Sequence, residues 1–181
     1  MKIQLENPNT QSLGLLQRSL ISKVLVPIDD SAHSHEAVQF AVRLAAKHGA
    51  EICLFHVISA YPWRFCFETP ECSLIPIIPM KKLEEEAEQL LLSAMTSVEE
   101  ANVKVHAELD YGLPANRIMR MAKEGGFDLI VMGSSGLGFL GRLAFGSVSD
   151  EVVHRAPCPV LVMKAHRKAS EEKEADEQGE P

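Results

Sequence analysis

The chain has 181 residues and a formal net charge of −7, with 46% hydrophobic and 24% charged residues. That length suits one domain with extensions, and that composition supplies a packed core, so disorder throughout is excluded. No apolar run approaches the roughly 18 residues of a membrane-spanning helix, which argues against membrane insertion. The acidic balance disfavours sequence-independent binding to nucleic acid phosphates, although backbone N–H groups can still hold a small anion.

Residues 1–21 are mostly polar, with Leu13, Leu15, Leu16 and Leu20 as a short apolar set, and are expected to form an N-terminal extension. Polar residues follow Lys2, so no signal-peptide core is expected there. Cys53, Cys66, Cys72 and Cys158 form no C-x-x-C pair, which argues against a zinc site and a secreted disulfide framework. A cytoplasmic protein with mostly unpaired thiols is the expectation.

From Lys23 the pattern alternates strand and helix. Lys23–Ile28 reads as a buried strand ending at Pro27-Ile28-Asp29-Asp30-Ser31. Ser31 is a natural N-cap for a helix carrying Ala37, Ala41 and Leu44, which Gly49 ends. Glu51–Val57 is a second buried strand. Residues 58–80 hold four prolines with Tyr61, Trp63, Phe65 and Phe67, an irregular insertion apolar enough to pack on the domain or on a partner.

Leu83, Ala87, Leu90, Leu91, Ala94 and Val98 then mark a long amphipathic helix, with Glu84, Glu85, Glu86 and Glu88 on its solvated face. Val103–Leu109 alternates as an edge strand. Gly112-Leu113-Pro114 turns into a helix ended by Gly125-Gly126, with Pro114 in its first turn. Asp128–Met132 is a fourth, central strand. After a glycine-rich loop comes a helix from about Ser147 to Arg155, then a fifth strand, Val160–Met163. Residues 165–181 end in six acidic residues and are expected to be a solvated, disordered tail.

Such alternation predicts an α/β fold, a doubly wound five-stranded parallel sheet with helices on both faces. Ligands in such sheets bind beyond the carboxyl ends of the strands, where strand order reverses. The strongest chemical signal lies there: Gly133-Ser134-Ser135-Gly136, nine residues, then Gly146-Ser147-Val148-Ser149. Glycines let a ligand approach the backbone, a helix start offers free N–H groups, and serines add hydroxyls; together they make a phosphate cradle. It is not a Walker loop, because no lysine lies between Glu124 and Lys164. Asp29, at the end of a strand, faces the crevice and can accept from ribose or coordinate Mg²⁺.

Pro27-x-Asp29-x-Ser31, His56-Val57, Gly112-x-Pro114, Gly133-x2-Gly136-x9-Gly146-Ser147 and Ala156-Pro157-Cys158-Pro159-Val160 occur in an order that resembles the universal stress proteins over residues 22–164. The complete glycine pattern resembles the ATP-binding branch. The resemblance implies strand order 3-2-1-4-5 and an ATP site, with AMP or ADP as alternatives and Mg or Mn on the phosphates. Pro27 and Ile28 would line the adenine pocket and Val57 would receive the adenine edge through its backbone. Asp29 would meet the sugar region or the metal. Met132 and Gly133 would flank the ribose and α-phosphate. Gly136, Gly146, Ser147, Val148 and Ser149 would hold the phosphates, joined by Ser134 from the loop's own chemistry. Ser135 stands where many relatives carry a basic residue or histidine.

The resemblance also implies a homodimer through Val160–Met163, which would cover an apolar edge strand. No Ser, His and acid are arranged as a nucleophilic set, so binding with at most slow hydrolysis is expected. His33 and His35 point to nearly opposite helix faces and make a poor metal pair. His56 either stacks near adenine or fills the sheet edge. The function expected is a stress-response regulatory protein that acts as a nucleotide-dependent switch with an unknown protein partner. Two other readings stand beside it: a nucleotide-free interaction module of the same fold, and a phosphorylated receiver domain built on Asp29, Asp30, Asp110, Ser134 and Lys164.

Overall fold

The structure, a computed structural model, describes residues 20–59, 80–134 and 146–164. The first unit is β1 (Lys23–Pro27), α1 (Ala32–His48) and β2 (Glu51–Ser59). Next come α2 (Met80–Thr96), a 3-10 turn at Glu99–Ala101 and β3 (Val105–Gly112). The chain continues through α3 (Pro114–Glu124), β4 (Leu129–Gly133), α4 (Ser147–Arg155) and β5 (Val160–Met163). The strands form one sheet in the order β3-β2-β1-β4-β5, with every pair parallel. This is the expected topology. Most of the extension, the insertion interior, the loop interior with Gly136, and the acidic tail lie outside the described residues.

Local chemistry sets the helix ends. Ser31 caps α1 by accepting from the Ser34 N–H at 3.1 Å, and Gly49 closes it at φ 68°, a conformation a side chain would strain. Pro114 opens α3 where its missing N–H costs nothing. The cap of α4 is Gly146, so Ser147 is the first helical residue.

Successive β1 side chains point to opposite faces, and both faces are covered. Val24, Val26, Ile52, Leu54 and Val131 pack beneath α1 and α2. Leu25, Cys53, Phe55, Ile130 and Met132 pack beneath α3 and α4. Fully burying each large side chain contributes about 1.5–3 kcal/mol relative to exposure. The central strands are therefore the stable platform from which the loops project.

Two strands run longer than their apolar patterns. β3 starts at Val105 and continues to Gly112, because Val57, Ile58 and Ser59 of β2 pair with Asp110, Tyr111 and Gly112. That extension lifts Tyr111 over α2, where its hydroxyl donates to Glu84 at 2.8 Å. This bond holds the Tyr111 proton above the ordinary phenol range. The glutamate run on α2 is largely solvated, with exposed pairs such as Lys81–Glu85 at 3.7 Å.

Candidate functional site

β1 leads through α1 to β2 on one side, while β4 lies on the other side of β1 and leads to β5. The strand order reverses between β1 and β4, and loops leaving their carboxyl ends open a crevice there. Pro27, Ile28 and Asp29 leave β1, and Met132, Gly133 and Ser134 leave β4. The sheet thus brings the separated motifs to one end, beyond the carboxyl termini of its central strands.

The β1–α1 loop is tightly bonded. Asp29 Oδ1 accepts from the Ser31 hydroxyl at 2.5 Å and from the Ser31 N–H at 3.2 Å. The Asp29 N–H donates to the Ser34 hydroxyl at 3.0 Å. Asp29 therefore orients the capping serine, while its Oδ2 makes no hydrogen bond among the described residues. One carboxylate oxygen remains for a ribose hydroxyl or a phosphate-bound Mg²⁺. Beside it lies a cavity of about 270 Å³, lined among others by Ile28, Ser34, Val38, Leu90 and Ala94. Ser34 went unread in the sequence, although Ser31-x-x-Ser34 at a helix start is a capping signal.

His56 shapes the backbone around Val57. The Ile28 N–H donates to Phe55 O at 2.8 Å, continuing the ladder one step beyond the last register pair, Pro27 with Phe55. In a parallel ladder the next rung would join the Val57 N–H to the Ile28 carbonyl. That carbonyl instead lies 2.8 Å from His56 Nδ1. A carbonyl can only accept, so Nδ1 carries the proton. Ile52 takes its bond from the β3 side, so alternation turns the Val57 N–H and C=O toward β1. They have no backbone partner on that side among the described residues. His56 thus closes the β1–β2 ladder and leaves the Val57 peptide edge open.

Gly133 is fixed by packing. A Cβ there would lie 2.9 Å from the carbonyl carbon and Cβ of His33 and from the Ser34 nitrogen. The end of β4 and the first turn of α1 touch only because the side chain is absent.

The described ends of the glycine-rich loop are stapled. Ser134 O accepts from the Gly146 N–H at 2.6 Å and lies 2.8 Å from the Ser149 hydroxyl. That hydroxyl also lies 2.9 Å from Gly146 O. Ser149 and Ser134 are both buried, so the Ser149 hydroxyl serves the loop closure. The Ser134 N–H donates to Met163 O at 2.8 Å, tying the loop to β5. The N–H groups of Ser147, Val148 and Ser149 begin α4 with no side-chain cap and no acceptor among the described residues. Free N–H groups at a helix start are the kind of group that can meet an anion. Gly136 lies outside the described residues.

The remaining candidates separate. His33 and His35 differ in burial and belong to no ligating cluster among the described residues. Asp110 lies in the edge strand, bridged by Arg120 at 3.1 Å and Arg117 at 3.7 Å. A receiver site needs that acid near the centre of the sheet; here β2 and β1 separate β3 from β4, which removes the receiver reading. Cys53 and Cys158 are free thiols, and no described helix is long and apolar enough to cross a membrane.

Known proteins resemble this chain in sequence and fold. A universal stress protein of Methanocaldococcus jannaschii is 35% identical over 150 residues, covering 83% of this chain and 86% of that protein. One from Bacillus subtilis is 34% identical over 152 residues, covering 80% of this chain and 100% of that protein. The solved structure of hypothetical protein MJ0577 superposes with a TM-score of 0.69 at 29% identity, covering 82% of this chain and 99% of that one. The model of the universal stress protein family matches residues 21–164. With the family matched over most of its length and relatives above 30% identity, the chain belongs to the universal stress protein family.

Proposed function

We propose that the crevice between β1 and β4 binds an adenine nucleotide, ATP in the first place and AMP or ADP as alternatives, with Mg or Mn on the phosphates. What supports this reading is the open Val57 peptide edge near the carboxyl end of β2 together with the uncapped start of α4, which follows β4. One end offers a donor and an acceptor to a base; the other offers N–H groups to phosphates. Asp29, just beyond the end of β1, has one carboxylate oxygen to spare. Support comes from universal stress proteins of this fold solved with cAMP (23% identical, TM-score 0.59) and, from Archaeoglobus fulgidus, with dAMP (20% identical, TM-score 0.56). Both ligands are adenine nucleotides.

The protein acts as a nucleotide-dependent switch rather than as a hydrolase. No lysine lies between Glu124 and Lys164 to meet a γ-phosphate, and no base is positioned among the described residues. It works as a homodimer through Val160–Met163, an apolar edge strand with β4 as its one neighbour in the sheet. The Ser134-to-Met163 hydrogen bond gives the phosphate loop a direct hold on that edge.

Calorimetric titration of nucleotide-stripped protein with Mg-ATP, ADP and AMP tests the site, and sedimentation with and without nucleotide tests the switch. Saturable binding of about one nucleotide per chain is expected, with a change in self-association. Folded protein that gives no saturable heat overturns the reading and leaves the nucleotide-free interaction module.

A further inference from the structure

The sheet holds a second set of donor atoms, away from the crevice. Cys53 sits in the middle of β2, in register with Leu25 of β1 and His106 of β3. Register partners in a parallel pair project to the same face, and so do residues two apart on one strand. Cys53, His106 and Glu108 therefore stand together on the α3 and α4 side of the sheet, near its β3 edge. One donor atom from each lies within 4.8 Å of the other two. His106 Nε2 is 3.8 Å from Glu108 Oε1. Around a tetrahedral ion with bonds of about 2.0–2.3 Å, donors stand about 3.3–3.8 Å apart. The His106–Glu108 pair already stands at that spacing, and all three donors lie close to it.

The donor types select the ion. A thiolate with an imidazole and one carboxylate suits zinc and its borderline neighbours, and poorly suits calcium or magnesium, which take oxygen ligands. The thiol is fully buried, whereas the side chains of His106 and Glu108 are 43% and 49% exposed. An ion can enter from the solvent side, and a water can fill its fourth position. We propose that Cys53, His106 and Glu108 form a binding site for a thiophilic divalent cation of the zinc class, clamping the edge strand β3 to β2.

Uptake balances as a proton exchange. The Cys53 S–H bond breaks and its proton goes to solvent; the thiolate, the neutral His106 nitrogen and one Glu108 oxygen each donate a lone pair to the ion. Burial, with the Glu108 and Glu51 carboxylates nearby, pushes the empty-site thiol up to about 12. The empty site therefore holds a neutral thiol at neutral pH, and each ion bound releases one proton. The same carboxylates that oppose a bare thiolate favour the cation that replaces its proton.

The test uses the full chain, without an affinity tag or nucleotide, carrying Cys66→Ser, Cys72→Ser and Cys158→Ser so that Cys53 is the remaining thiol. Co²⁺ is the probe and Zn²⁺ the competitor. One equivalent of Co²⁺ is expected to give a thiolate charge-transfer band with the intense visible bands of a four-coordinate ion, and Zn²⁺ should displace it. Cys53→Ala should abolish the charge-transfer band. His106→Gln and Glu108→Gln sit at half-exposed edge positions and keep the fold, checked by circular dichroism. Each should weaken Zn²⁺ binding at least about tenfold, the scale on which even outer-shell partners act. No thiolate band in the folded triple variant overturns the proposal. So does unchanged Zn²⁺ affinity in both glutamine variants.

Discussion

Ser147→Pro separates the binding role of the α4 start from its structural role. Gly146 already has φ −73° and ψ 159°, the extended conformation that a residue before proline prefers. Ser147 is the first helical residue, where proline fits and no intrahelical bond is lost. Folding stability should hold, or rise by about 0.4–1 kcal/mol through a stiffer unfolded chain. What disappears is one N–H aimed at the proposed phosphate. A hydrogen bond to a charged group contributes about 1.5–3 kcal/mol. At about 1.4 kcal/mol per decade, the Kd for Mg-ATP should rise about 10–100-fold. Ser147→Ala keeps the N–H and loses the hydroxyl, so it should lie much closer to wild type. Calorimetry gives the affinities and thermal unfolding gives the stability. Wild-type ATP affinity in a folded Ser147→Pro protein refutes the phosphate role. A fall of several degrees in Tm refutes the premise that the N–H has no protein acceptor.

Three further outcomes follow from named contacts. Gly133→Ala drives a Cβ to 2.9 Å from the first turn of α1, which is backbone and cannot swing aside; overpacking of about 1–3 kcal/mol is expected, and an unchanged urea midpoint refutes it. His56→Ala frees the Ile28 carbonyl to take the Val57 N–H, so the ladder should lengthen and nucleotide affinity should fall more than stability; equal affinity in titration refutes that reading. The third concerns alkaline pH. The Cys53 thiol is held at about 12 against an ordinary 9.0, first by burial and then by Glu108 and Glu51. The unfolded chain thus ionises first: the stabilisation is complete below pH 9.0 and declines toward pH 12, by at most about 1.4 kcal/mol per pH unit. Metal-free Cys53→Val should show a shallower alkaline decline, and an identical slope refutes the assignment.

Local signals were legible in the sequence because they need few partners. Ser31 as a cap, Gly49 as a left-handed stop and Pro114 at a helix start depend on a handful of neighbouring atoms. The parallel order followed from strand–helix alternation together with the family resemblance. Strand ends were less legible: Asp110 and Gly112 are poor strand formers, and pairing with β2 overrides that preference. The packing need for Gly133 was hidden because it depends on where α1 sits. The role of His56 required knowing where β1 stops. The Cys53 cluster was hidden for a different reason. The alternation of Val103, Val105, Ala107 and Leu109 draws attention to the apolar face, while His106 and Glu108 occupy the other one. C-x-x-C spacing cannot register a cysteine whose partners lie on the next strand.

The peptide edge at Val57 has an evolutionary consequence. A base met by main-chain N–H and C=O is recognised by groups that nearly every amino acid carries. Side-chain changes at position 57 can alter the snugness of the pocket but leave the order of donor and acceptor intact. Preference for one nucleobase over another would then be inherited with the register of β2 rather than with any residue type. The family could drift widely in sequence while keeping the same base. Only proline, which deletes the donor, or a one-residue slip of the strand, which turns both groups toward β3, would erase it.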